Sequence, residues 1–259
     1  MDIAGKIAII AVLLCIPVHG IAQRTIKSTL TGPTASDWGA LAKLPDFNGV
    51  WEISRPRGPA AARPSLPSLT PEYEAKRRAY LASPPEDNET ANCLPPGMPG
   101  IMGQPYPMEF LLTPGQVTIV IEAYTQVRHI YTDGRKFPED PEARFHGTSI
   151  GHWEGGTLVA ETIGFSPLTT IERGIPHSDK MRILERFRLT DPNTMNIETI
   201  ITDPEVLAAP YTTTRTLARH RDWTISEYIC EENNRNSVDA RGKAGINLTI
   251  PGGNAPQKD

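Results

Sequence analysis

Cysteine is scarce: three residues in 259, at Cys15, Cys93 and Cys230. Aromatic residues make up only 7%, and the charge balance carries no basic excess, with 26 Lys and Arg against 30 Asp and Glu. The missing basic bias removes the electrostatic footprint of a nucleic-acid-binding protein. No Gly-rich phosphate loop or dinucleotide fingerprint occurs, so no nucleotide cofactor is expected and none of any kind is assigned. After the first 22 residues no apolar run approaches the ~20 residues that a membrane-spanning helix needs, so membrane insertion is not expected. No internal repeat is evident.

The one long apolar stretch lies at the start. Lys6 gives a short positive region, residues 7–18 are apolar, and Gly20-Ile21-Ala22 puts small residues where a signal peptidase reads them. Residues 1–22 therefore read as a signal peptide, cleaved before Gln23, and the protein as periplasmic or secreted. Leu14 before Cys15 does not suit a lipoprotein signal. Cys93 and Cys230 then remain, and an even pair in an exported chain reads as a disulfide. A reactive thiol or a metal site is the alternative; two distant cysteines lack metal-ligand spacing.

Proline, by contrast, is abundant: 25 residues, about twice the usual ~5%. It concentrates in residues 55–71 and 84–107, which excludes central strands and helix interiors there. Residues 23–107 read as an extended N-terminal segment that wraps the same domain and contributes a first strand near 47–53. One short helix runs from Pro71 to about Ala82, with Thr70 at the N-cap and Glu72 at the positive end of its dipole.

Residues 108–235 carry strand patterns at 108–113, 116–123, 126–132, 148–153, 157–163, 179–190, 195–202, 211–219 and 223–230. Turn signals such as Pro114-Gly115, Asp133-Gly134 and Asp191-Pro192-Asn193 separate them. Many strands without intervening helices predict a mainly β domain, a single antiparallel barrel, with a β-sandwich as the alternative. Residues 236–259 read as an irregular arm. Gly49-Val50-Trp51 on the first strand is similar to the opening of lipocalin-like (calycin) barrels, where a tryptophan plugs one end.

The most informative segment for chemistry runs from His177 to Leu189. Alternation puts Ser178, Lys180, Arg182, Arg186 and Arg188 on a solvated face. The other face carries His177, Asp179 and Glu185 among Met181, Ile183, Phe187 and Leu189. A buried carboxylate costs several kcal/mol unless paired or protonated, so such groups are either matched for structure or kept for function. His177, Asp179 and Glu185 are the candidate acid–base set. Tyr124, Arg128, Trp153 and Tyr228 are the candidate substrate contacts, and Arg128 is equally suited to pair with Glu185.

Other matches are weaker. Gly147-Thr148-Ser149-Ile150-Gly151 has the letters of a nucleophile elbow but runs straight into a hairpin pattern rather than a strand–turn–helix. His129, His146, His152 and His177 show no metal-ligand spacing, so no metal is assigned, and one could be assembled only across strands.

Several motifs occur together: Asp46-Phe47-Asn48-Gly49-Val50-Trp51, Cys93-Leu94-Pro95, Tyr131-Thr132-Asp133-Gly134-Arg135, Trp153-Glu154-Gly155-Gly156, Pro176-His177-Ser178, Glu185-Arg186-Phe187 and Glu227-Tyr228-Ile229-Cys230. With them the chain resembles a broad group of exported bacterial "hypothetical" proteins. The resemblance implies a periplasmic or secreted home and a lipocalin-like barrel, and brings no activity with it. Where that group most often has Asp after the first glycine of the Trp-Glu-Gly hairpin, this chain has Gly156. The residues lead to two expectations. One is a cofactor-independent acid–base enzyme (isomerase, cyclase, lyase or hydratase) acting on a small, largely apolar or aromatic molecule in a barrel pocket. The other is a periplasmic binding or carrier barrel for such a molecule.

Overall fold

Alternation is the organising signal of the structure, a computed structural model that describes residues 32–54, 65–82, 93–230, 237–238 and 244–245. The signal-peptide reading of residues 1–22 and most of the expected C-terminal arm lie outside these residues.

A short helix, α1 (Ala35–Ala40), is closed by a capping box: the Thr34 hydroxyl accepts from the Asp37 N–H, and the Asp37 carboxylate accepts from the Thr34 N–H. The first strand, β1 (Gly49–Ile53), follows, and then α2 (Pro71–Ala82) where the sequence places a helix. The Thr70 hydroxyl does not cap α2; it donates to the Glu205 carbonyl at 3.1 Å and ties the helix start to the barrel. The strands are β2 (Met108–Thr113), β3 (Gln116–Ile121), β4 (Gln126–Tyr131), β5 (Thr148–Glu154), β6 (Thr157–Ile163), a small hairpin β7 (Thr170–Glu172) and β8 (Ile175–Pro176), β9 (Arg182–Asp191), β10 (Thr194–Thr202) and β11 (Tyr211–His220). Two short pieces, β12 (Ser237–Val238) and β13 (Ala244–Gly245), pair with each other.

Nine strands close into a barrel in the order β1-β11-β10-β9-β6-β5-β4-β3-β2. The mainly β expectation holds, and the closed barrel replaces the sandwich alternative. An odd ring of strands cannot alternate direction all the way round, so a like-directed neighbour pair is forced. It falls between β4 and β5, which run parallel and pair only through Ile130↔Ser149 and Tyr131↔Ile150. Every other pairing in the ring is antiparallel, so the antiparallel barrel expectation holds with this seam as its one parallel pairing. A hairpin cannot join parallel strands, and the crossover 132–147 makes the connection.

Two-residue turns set the register of the β2–β3, β5–β6 and β9–β10 hairpins. Pro114-Gly115 joins β2 to β3, with Gly115 at φ +75° supplying the left-handed position that follows proline in a type II turn. The barrel interior is filled by alternate residues, among them Phe110, Ile119, Ile130, Leu158, Phe187 and Ile197. At one end Trp51 is fully buried, donating its Nε1–H to the Phe47 carbonyl at 2.8 Å. Arg219 lies over the Trp51 ring, 4.4 Å from its centroid, and pairs with Asp46 at 2.9 Å. The opposite end is covered by the 94–107 segment and the β7–β8 hairpin, with Met98, Ile101, Ile171 and Ile175 buried. Residues 65–70 join there as part of the expected N-terminal wrap, with Leu69 bridging to Leu207.

Two strand expectations fail. Residues 221–229 form no strand, because this segment leaves the barrel after β11 and lies across the β3–β4 turn, where Thr125 Oγ1 donates to the Tyr228 carbonyl at 2.9 Å. The expected strand from Asp179 begins only at Arg182, because residues 178–181 form a turn closed by Met181 N–H to Ser178 O at 3.3 Å. Cys93 and Cys230 form a disulfide that pins the end of the crossing segment.

Candidate functional site

Glu185 and Arg128 meet in the middle of the barrel. Their side chains are 0% and 1% exposed. Register explains the meeting: Ala160 pairs with Glu185, Ile119 with Arg128, and both charged residues fall on inward positions of their strands. Arg128 binds the carboxylate with both terminal nitrogens, Nη1 to Oε1 at 3.2 Å and Nη2 to Oε2. Nη2 also donates to Thr162 Oγ1 at 3.1 Å and to Ser149 Oγ at 3.3 Å, and Nε donates to Ser149 Oγ at 3.4 Å. The two hydroxyls bond each other at 2.8 Å. Ser149, the central letter of the elbow-like match, is thus a buried strand residue in a hydrogen-bonded network. A forked guanidinium–carboxylate pair whose guanidinium also donates to two buried hydroxyls is the arrangement that makes a buried pair tolerable.

The other members of the acid–base set are elsewhere. Asp179 is on the surface, its side chain 77% exposed and paired with Lys180 at 2.6 Å. Extrapolating strand alternation through a turn put it on the wrong face. Its pKa is lowered, chiefly by the hydrogen bond from Lys180, the opposite of what a proton donor near neutrality needs. His177 is half-buried in the loop before β9. Its Nδ1 lies 2.8 Å from the Ser178 carbonyl, and its Nε2 lies 2.9 Å from both the Ser166 carbonyl and the Thr169 hydroxyl. With both ring nitrogens engaged and Phe165 edge-on at 5.9 Å, His177 clamps the 166–169 loop. Glu185, His177 and Asp179 thus occupy three separate surroundings.

The candidate contact residues divide in the same way. Tyr124 and Tyr228 do come together, at 5.3 Å, with Tyr106 also 5.3 Å from Tyr228. Burial and the two neighbouring phenols push the Tyr228 pKa up to about 12. Trp153 packs 5.2 Å from Phe47 at the opposite end. Arg128 is in the interior with Glu185.

Among the described residues two clefts stand out on the outside of the barrel. The larger, about 570 Å³, lies between the 140–143 stretch, the end of β6 and the 179–182 turn. Ile163, Phe165 and Met181 give it an apolar floor, Pro141, Ala143 and Pro204 apolar sides, and Asp140, Asp179, Lys180 and Arg182 a charged rim. The smaller, about 250 Å³, sits at the β4–β5 seam, with Arg128 and Ser149 in its floor and His129, Arg144 and His146 on its walls. His146 was not singled out from sequence. Its Nδ1 is 3.3 Å from the Val127 carbonyl, and its Nε2 is buried without a hydrogen-bond partner among the described residues. Burial, and then the Arg128 charge, lower its pKa to about 4. The imidazole is therefore neutral at pH 7, donates from Nδ1 to Val127, and keeps a lone pair on Nε2. Among the described residues no three His, Cys, Asp or Glu side chains cluster to hold a metal.

Fold and clefts together define a closed nine-stranded β-barrel with ligand-sized recesses on its outer surface. No protein-family model matches the chain, and no curated protein does. Among solved structures, a crystal structure of a mutant of the fluorescent protein UnaG is similar at 12% identity and a TM-score of 0.32, over 67% of this chain and 96% of that one. A similarity at that level carries no argument about function.

Proposed function

We propose that the protein is a carrier for a small, largely apolar molecule, held in the 570 Å³ cleft beside the 179–182 turn. The observation that supports this reading is the cleft itself: a recess of ligand size, floored by apolar side chains with charges confined to the rim. Asp179 and Lys180 then orient a ligand from the rim. This favours the binding expectation over the acid–base one, whose three residues share no cavity. An exported home accords with the disulfide, since such bonds persist in oxidising compartments. Among the described residues no helix is long and apolar enough to cross a membrane.

The test is titration of the full chain with Nile red, a neutral apolar fluorophore. Ala143 is exposed and lines the cleft, so Ala143→Trp fills the recess from outside without touching the core. The wild type should bind the dye with a blue-shifted emission, and Ala143→Trp should weaken binding at least tenfold with its melting temperature unchanged. Equal binding by both proteins would refute the assignment.

A further inference from the structure

The seam cleft differs from the apolar one in chemistry. Its lining includes two arginines and two histidines and no carboxylate. The acids nearest to it each face an arginine of their own: Glu185 behind Arg128, Glu142 beside Arg144, and Asp133 beside Arg135, whose guanidinium lies 3.7 Å over the Tyr131 ring. Val127, Tyr131 and Phe145 supply apolar wall.

Several N–H donors are available there. His129 Nδ1 lies 3.1 Å from the Gln116 side-chain amide nitrogen, so it acts as acceptor and leaves the proton on Nε2. Arg144 pairs with Glu142, but both side chains are well exposed, at 60% and 73%. A pair of that kind contributes little and exchanges readily for a better partner. Arg128 presents the cationic end of its ion pair from below, with Glu185 behind it. The cleft volume admits a molecule of about one ring.

We propose that this cleft is a second binding site, specific for a compact organic anion, a one-ring carboxylate or sulfonate. The anionic group takes the donors of Arg144 and His129 over the buried Arg128, and the ring lies against Phe145 and Val127. Arg128 keeps Glu185 throughout, so the barrel core is not disturbed. Other charged or titratable groups facing His146 are Arg128 and His129 on β4 and Arg144 on its own segment, with Glu185 acting through Arg128. An anion placed among these cations offsets the field that suppresses protonation of His146.

The test uses the full chain and benzenesulfonate, which stays ionised across the working pH range, with benzenesulfonamide as its neutral twin. Calorimetry should show the sulfonate binding at least tenfold more tightly than the sulfonamide. Amide and imidazole NMR shifts should move at residues 126–129 and 144–149, and the His146 titration should move to higher pH in the complex. Arg144→Gln, an exposed change that leaves the fold intact, should weaken binding several-fold. Thr148→Phe, which fills the cleft from its wall, should abolish it. Equal affinity for the two twins, equal or tighter binding of inorganic phosphate, or shifts confined to residues 140–143 and 179–182 would each overturn the proposal. The last result would assign the anion to the apolar cleft, whose own dye test is separate.

Discussion

Replacing Glu185 with Gln tests whether the barrel's central charge is structural. Arg128 is 1% exposed and its one carboxylate partner is Glu185; its other bonds go to the neutral hydroxyls of Ser149 and Thr162. Glu185→Gln keeps the shape but leaves a guanidinium buried without a counter-charge. Breaking a buried pair from one side costs about 3–5 kcal/mol. For a domain of this size that lowers the melting temperature by roughly 6–20 °C, at about 2–4 °C per kcal/mol. The paired replacement, Arg128→Met with Glu185→Leu, removes both charges together. Ser149 and Thr162 then still bond each other at 2.8 Å, so no hydroxyl is orphaned. Such replacements are often neutral or stabilising. The double variant should therefore come within about 1–2 kcal/mol of the wild type, far above the sum of the two single changes. Urea unfolding under non-reducing conditions, followed by tryptophan fluorescence, measures the wild type, Glu185→Gln, the double variant and its two single components. If Glu185→Gln is as stable as the wild type or more so, the structural reading is wrong, because Glu185 would then be a burden the fold carries for another purpose.

Three further outcomes follow from the same structure. Reduction of Cys93–Cys230, or Ser at both positions, opens a loop of 137 residues; loss of about 2–5 kcal/mol is expected in urea unfolding. The disulfide also pins the segment bearing Tyr228, so reduction should bring phenol ionisation down from about 12 towards the ordinary tyrosine range in an absorbance titration. The His146 pKa, depressed to about 4, means its stabilising contribution is complete above the unfolded value near 6.5 and is lost as pH falls through 4. His146→Gln should flatten the urea midpoint between pH 4 and 7. At the β5–β6 turn Gly155 has φ +57°, whereas Gly156 is not in the left-handed region and a Cβ there meets only Pro45 Cγ at 3.7 Å. Gly156→Asp should therefore leave stability unchanged or raise it by about 0.4–1 kcal/mol, whereas Gly155→Asp should lower it, both read from melting temperatures.

What was legible in the sequence was whatever local pattern or simple counting governs. Trp51 could be placed because a tryptophan two residues after a glycine at the start of an alternating segment has few places to go but inward. Glu185 and Arg128 could be placed inside because their strands alternate without interruption, and two inward opposite charges have to find each other. Asp179 could not, because alternation applies only within a strand and residues 178–181 turn instead. Arg219 went unnoticed because its packing over Trp51 depends on β1 and β11 closing the ring, a contact between residues far apart in the chain. His146 lies in a crossover with no period of its own, and its surroundings are made by a strand that precedes it by nearly twenty residues.

The seam links these observations. Nine strands force a parallel pair somewhere in the ring, and here it carries only two residue pairs. Beyond that short pairing β4 has the crossover, rather than a strand, as its neighbour: the His146 ring reaches the Val127 carbonyl at 3.3 Å, while the Arg144 backbone pairs with Phe165. A wall built from a crossover cannot be as continuous as a hydrogen-bonded one, so the recess at this position follows from the strand count. Its floor is polar because the inward residues nearest the seam, Arg128 and Ser149, belong to the network around Glu185. That network fills the space where a ligand would lie in an open barrel. Ion pair and seam cleft are therefore two results of one arrangement: the interior beside the seam is given to a charged core, and the recess lies on the outside of the wall.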